Sequence, residues 1–167
     1  RMASDELRMR FRGWMINRIR VFEKPPPGEA YVLYALHYEP EMSTMVLAPF
    51  YLNQVALIEN IAKALPINYK LYVKEHPLMI GARPLSYYEK LRTIPNVRLV
   101  EPLMSPFELI KNSTLVITIT GTIGWEAILL KKPVITFGRV FYNRLETVRK
   151  AGGADSLPQT ILDALHN

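Results

Sequence analysis

The chain has 167 residues, 49% of them hydrophobic and 22% charged, which excludes extensive disorder and fibrous architectures and suits one domain burying roughly two thirds of its unfolded surface. It contains no cysteine, which excludes a disulfide scaffold, a thiolate metal site and a cysteine nucleophile, and favours a cytoplasmic setting. The formal net charge is +6, but about +4 of it lies before the first proline cluster, where Arg1, Arg8, Arg10, Arg12, Arg18, Arg20 and Lys24 stand against Asp5, Glu6 and Glu23. The remainder is nearly neutral and its aromatics are not interleaved with basic residues, so no nucleic-acid partner is expected. No apolar run reaches the roughly 20 residues of a membrane span, and the start lacks the apolar core of a signal peptide. Because the chain opens on Arg1 rather than a methionine, the expectation is a soluble piece of a longer protein.

From residue 5 to residue 22 the apolar residues Leu7, Phe11, Trp14, Met15, Ile19 and Phe22 recur every three or four positions, which predicts an amphipathic helix with arginines over much of its other surface. Such a helix either packs on the domain or lies at an anionic membrane interface, and peripheral membrane contact is one expectation. Pro25, Pro26, Pro27 and Gly28 end it and form a linker, so residues 1–28 are separated from a main domain over residues 29–167.

The main domain alternates. Strands are predicted over residues 30–36, 69–73, 97–100, 115–119 and 134–137, and helices over residues 51–65, 85–94, 106–111 and 123–130. A last amphipathic helix through Ile161 and Leu165 closes the chain. Crossovers too long for hairpins imply an α/β fold, a Rossmann-like doubly wound parallel sheet covered on both faces. Ligands of such sheets bind beyond the carboxyl ends of the strands. Those positions hold His37, Tyr38, Glu39 and Glu41 after the first strand, Lys74, Glu75 and His76 after the second, and Glu101 after the third. Thr120, Gly121, Thr122, Gly124 and Glu126 follow the fourth, and Gly138 and Arg139 the fifth.

The segment ITITGTIGWEA reads as strand, small-residue turn and helix start. Thr120 or Thr122 can cap the helix, Gly121 and Gly124 allow close approach to the backbone, and free amides at the helix start suit a phosphate. The same turn also serves as a tight connection. It is not GxGxxG and lacks a P-loop lysine, which disfavours dinucleotide oxidoreduction and ATP hydrolysis. Glu126 can complement the helix dipole or hold a ribose diol. His76 can fasten its loop or donate to a phosphate at neutral pH. Lys74 is a phosphate counter-charge or a solvated strand end, and Glu75 and Glu101 are surface carboxylates or partners of a neighbouring base. Metal-ligand spacing and a GxSxG elbow are absent, so neither a metal cofactor nor a serine nucleophile is expected.

Three segments in this order, YVLYALHYEPEMST, YKLYVKEHP and TITGTIGWEAILLKKPVITFG with the FYN that follows, resemble the capsule polysaccharide biosynthesis proteins, a family that includes bacterial Kdo transferases of the two-domain GT-B type. The resemblance spans residues 29–143. It implies that this chain is the nucleotide-sugar-binding half of a glycosyltransferase acting on a nucleotide-activated donor such as CMP-Kdo, with a glycan or glycolipid acceptor held by a separate N-terminal half. KEHP looks like the His-Pro motif that contacts the donor phosphate. Residue by residue, the resemblance implies His76 at the donor phosphate, Thr120, Gly121 and Thr122 at the nucleotide phosphate, Glu126 at the ribose, and His37 and Glu39 near the sugar. A nucleotide-sugar epimerase, a CDP-polyol phosphotransferase and a non-catalytic nucleotide-binding scaffold are compatible with the same fold.

Overall fold

The computed structural model of the chain describes residue 13, residues 21–40 and residues 42–166. Six strands make one sheet: β1 (Tyr31–Ala35), β2 (Lys70–Lys74), β3 (Val97–Val100), β4 (Leu115–Thr118), β5 (Val134–Thr136) and β6 (Val148–Lys150). Their spatial order is β3-β2-β1-β4-β5-β6, with all neighbours parallel. Helices α1 (Met42–Leu47), α2 (Gln54–Ala64), α3 (Leu85–Arg92), α4 (Pro106–Asn112), α5 (Ile123–Leu129) and α6 (Leu157–Leu165) lie between and after the strands.

The two faces of the sheet follow from the period-two alternation of side chains along each strand. Val32, Tyr34, Leu71, Val73, Leu115, Ile117 and Ile135 point to one face and pack with Ile58 and Ile61 of α2, Leu91 of α3 and Ile161 of α6. Tyr31, Leu33, Tyr72, Val116 and Val134 point to the other and meet Leu109 and Ile110 of α4 and Ala127 of α5. Because both faces are covered, the central strands are apolar throughout rather than alternating, as a buried parallel sheet requires. The fold is the doubly wound Rossmann-like sheet that the alternation of strands and helices implies.

The five predicted strands all form, each within two residues of its expected bounds. β6 escapes the sequence pattern because VRK is three residues long and places only Val148 in the core. The helix expected from residue 51 begins at Gln54: Pro49–Tyr51 forms a 3-10 turn, and the Asn53 side chain accepts the Ala56 N–H at 3.1 Å as the cap. Helix α1 falls in a stretch where no element is predicted.

Of the predicted helix over residues 5–22, all but Gly13, Val21 and Phe22 lies outside the described residues. Gly13 is helical. Val21 and Phe22 are not, and lead into the bridge that Glu23 makes with β3. Glu23 pairs along β3, donating its amide to Leu99 O at 2.8 Å and accepting from Glu101 N at 3.1 Å, so this segment covers part of an exposed sheet edge.

The turn after β5 sits tightly on the turn after β4. Gly138 donates to Ile119 O at 2.8 Å, and a Cβ at this position would lie 2.4 Å from Thr120 Cγ2 and 3.1 Å from Ala48 Cβ. Gly138→Ala is therefore expected to destabilise the chain by about 1–3 kcal/mol through overpacking. Urea denaturation measures this, and an unchanged midpoint would show that the contact has room to relax.

Candidate functional site

Strand order reverses between β1 and β4, and there the carboxyl edge of the sheet opens into a cavity of about 650 Å³. The loops after the first four strands line it, contributing His37 and Tyr38, then Glu75 and His76, then residues 102–106, then residues 120–123. The cavity thus gathers His37, Lys74, His76, Thr120, Gly121, Thr122 and Glu126 from three separate stretches of sequence. Glu39 and Gly124 are not in its wall.

His76 caps a 3-10 turn at Pro77–Met79, with Nδ1 accepting the Leu78 N–H at 3.3 Å. That bond puts the ring proton on Nε2, which has no acceptor among the described residues and so remains a donor for a ligand. Tyr38 meets the ring edge-on at a centroid distance of 5.9 Å. Lys74 is buried rather than a solvated strand end: its ammonium donates to Pro102 O at 2.8 Å, joining the ends of β2 and β3. Burial lowers its pKa, an effect that neighbouring Glu75 opposes.

The turn after β4 is held from within. Gly121 N donates to Thr118 Oγ1 at 3.0 Å, and the Tyr142 hydroxyl donates to Gly121 O at 2.5 Å. Burial pushes the Tyr142 phenol up to about 12, so it stays protonated as a donor through the neutral range. Gly124 leaves room for that tyrosine, since a Cβ there would fall 2.5 Å from its hydroxyl oxygen. Gly121 in turn leaves room for Thr118 Oγ1, which a Cβ would approach to 2.8 Å. Thr122 and Glu126 are exposed at the rim. Thr120 Oγ1 is buried without a hydrogen-bond partner among the described residues, a state that most buried hydroxyls avoid.

His37 joins β1 to this turn. Its Nε2 accepts the amides of Ile119 at 3.3 Å and Thr120 at 3.4 Å, which requires that nitrogen to be unprotonated. Its own amide donates to Gln54 Oε1 at 2.9 Å, and its carbonyl accepts from Arg83 Nη2 at 2.6 Å. Glu39 turns toward the same group, pairing with Arg83 Nη1 at 2.8 Å and accepting from the Gln54 side-chain amide. Glu75, expected as a surface carboxylate or an orienting partner, is fully buried at 0% exposure and is a partner. Its Oε2 lies 3.0 Å from Arg83 Nε, an ion pair without hydrogen-bond alignment, and accepts the Tyr88 hydroxyl at 2.8 Å. Its Oε1 accepts the His76 amide at 2.7 Å. Burial raises the Glu75 pKa, against the opposing pull of Arg83 and these donors. Glu101 remains near the surface, paired with Lys24 at 3.4 Å.

Arg83, Gln54, Tyr88, Thr118, Tyr142 and Asn143 were absent from the sequence-based candidates. Asn143 accepts from Thr136 Oγ1 at 2.8 Å and donates to Gly138 O at 3.0 Å, fixing the end of β5. The FYN that closes the third motif was the available signal for Tyr142 and Asn143. Arg83 had none, because a single arginine in a loop ordinarily reads as solvated. No group of three or more metal-ligating side chains occurs among the described residues.

Comparison with known proteins agrees with this architecture. Over 72 residues, 43% of the chain, it is 32% identical to the capsule polysaccharide modification protein LipA of Neisseria meningitidis serogroup B, of whose length the match covers only 10%. Among solved structures, the beta Kdo 2,7 transferase KpsC of Thermosulfurimonas dismutans aligns with a TM-score of 0.61 at 19% identity, over 95% of this chain and 53% of that one. The UDP-GlcNAc 2-epimerase of Methanocaldococcus jannaschii aligns with a TM-score of 0.63 at 20% identity, over 91% of this chain and 43% of that one. At these identities the structural likeness establishes the fold. The model of the capsule polysaccharide biosynthesis proteins matches residues 27–148, most of the chain, and the chain belongs to that family.

Proposed function

We propose that the chain is the donor-binding half of a GT-B glycosyltransferase, which transfers a sugar from a nucleotide-activated donor, CMP-Kdo in the first instance, to a surface glycan or glycolipid. One observation carries this reading: at the switch point, the cavity wall presents a donor, His76 Nε2–H, that has no acceptor among the described residues, with the turn at Thr120 lining the same cavity. Family membership and the likeness to a Kdo transferase support it.

In this reading the bond from the anomeric carbon to the phosphate oxygen breaks, and the bonding pair leaves with the nucleotide phosphate. Negative charge grows on that phosphate as the sugar becomes cationic. His76 Nε2–H donates to the phosphate oxygens where the charge develops, beside the turn at Thr120 and in a site already walled by apolar side chains such as Leu36, Leu103 and Met104. Lys74 adds positive potential from behind while its bond to Pro102 O keeps it in place. Glu126, at the rim, accepts from a ribose diol. The acceptor hydroxyl, its base and the second wall of the cleft come from an N-terminal half outside this chain. The working site is the cytoplasmic side of the membrane, with the basic stretch before Pro25 as a peripheral contact.

A second reading, a nucleotide-sugar epimerase, is favoured by the alignment with the UDP-GlcNAc 2-epimerase. Titrating the labelled chain with CMP, CDP and UDP discriminates: preference for CMP with shifts around Gly121 and His76 fits the transferase, preference for UDP the epimerase, and no shift with any nucleotide a scaffold. His76→Ala is expected to weaken CMP binding roughly tenfold or more, from the ~1.5–3 kcal/mol of a hydrogen bond to a charged group. Equal affinity in the variant would remove His76 from the phosphate site. Binding should also persist in excess EDTA, and a strict requirement for Mg²⁺ would contradict the metal-independent mechanism.

A further inference from the structure

Beyond the strands, the loops after β1 and β2 part company. The last backbone link between them is Leu36 N to Lys74 O at 2.9 Å, and the next connection is a side chain. Arg83, which follows the His76-capped turn, is 3% exposed and does not line the cavity. Its guanidinium reaches His37 O at 2.6 Å and Glu39 Oε2 at 2.8 Å on the first loop, and Glu75 Oε2 at 3.0 Å on the second, over the ring of Tyr87 at 4.7 Å. Glu75 holds the His76 amide through its other oxygen, and the His37 ring holds the amides of Ile119 and Thr120.

We propose that Arg83 is a positioning residue for the phosphate-binding loops, setting His76 through Glu75 and the Thr120 turn through His37 without touching the ligand. This rests on the donor-phosphate reading of His76 given above. A planar guanidinium presents donors in fixed directions, so it fixes the His37 carbonyl relative to the Glu75 carboxylate, which a flexible ammonium does not. If neutralising a buried charge were its whole role, an apolar pair of similar volume would serve equally well.

The test uses the full chain with ¹⁵N-labelled histidine. In the wild type, His76 should show a protonated Nε2 and an unprotonated Nδ1. In Arg83→Met both nitrogens should move toward the averaged values of a freely exchanging ring, and CMP affinity should fall on the order of tenfold, the loss seen when a supporting group is removed. Arg83→Lys keeps the charge but not the fork, and should fall between the two. Arg83→Met leaves Glu75 buried without its counter-charge and can fail to fold, so Arg83→Met/Glu75→Leu is read beside it. That double variant is expected to fold and to show the same averaged His76 signals and weakened CMP binding. A folded double variant with the wild-type His76 spectrum and CMP affinity overturns the proposal. If the wild type binds no CMP, the donor reading fails, while the His76 nitrogen shifts still decide whether Arg83 positions the ring.

Discussion

A carboxylate with no access to water has to be neutralised where it stands, and the carboxyl edge of this sheet is arranged around one. Glu75 sits at the end of β2, fully buried, where desolvation would drive it to the protonated form. Arg83, Tyr88 and the His76 amide all converge on it. Removing one member of such a buried pair typically costs about 3–5 kcal/mol, whereas exchanging both for apolar groups is often neutral. Net stabilisation is therefore a weak account of why the pair is there. Its geometric consequence is definite: two loops that the strand ladder releases after Lys74 are tied together again beside the cavity.

The same logic extends across the switch point. The reversal of strand order between β1 and β4 leaves a crevice, and beyond the paired strands no backbone hydrogen bond joins the loops after β1 and β4 among the described residues. His37 bridges it with one ring nitrogen that accepts two amides from the opposite turn. Tyr142 reaches that turn from beyond β5 and Gln54 braces His37 from α2. The loops are thus held by side chains from several elements, the support that a site with a fixed donor geometry needs.

The layers of the fold were legible because the five main strands are buried on both faces and so appear as short apolar runs. β6 was not, since a three-residue edge strand with one core side chain leaves no periodic trace. The site was legible as a set of positions but not as a set of partners. The switch-point rule placed His37, Lys74, His76 and the Thr120 turn on one edge, and the cavity gathers them. Burial of Lys74 and Glu75 was left open by the sequence, because a charged residue at a strand end usually reaches solvent, and only the chain folded over them, with Pro102 and Arg83, closes that route. Arg83 is 44 residues from Glu39 and 8 from Glu75, separations at which no periodicity connects side chains.

The small residues of the turn after β4 show how one sequence feature can satisfy two demands. Glycine at 121 and 124 suggested a backbone laid open to a phosphate, yet the space beside each is filled by protein, by Thr118 and by Tyr142. The glycines therefore act first on packing: they let a tyrosine and a threonine grip the turn at distances that a Cβ would forbid. Held in that way, the turn keeps the Gly121 amide occupied by Thr118 and leaves the Thr120 hydroxyl buried without a partner among the described residues. A loop that had to close on its ligand would pay ordering entropy at binding, whereas this one is ordered by its neighbours beforehand. Glycine at these positions is thus the condition for a rigid turn, and Thr120 and His76 line the cavity beside it.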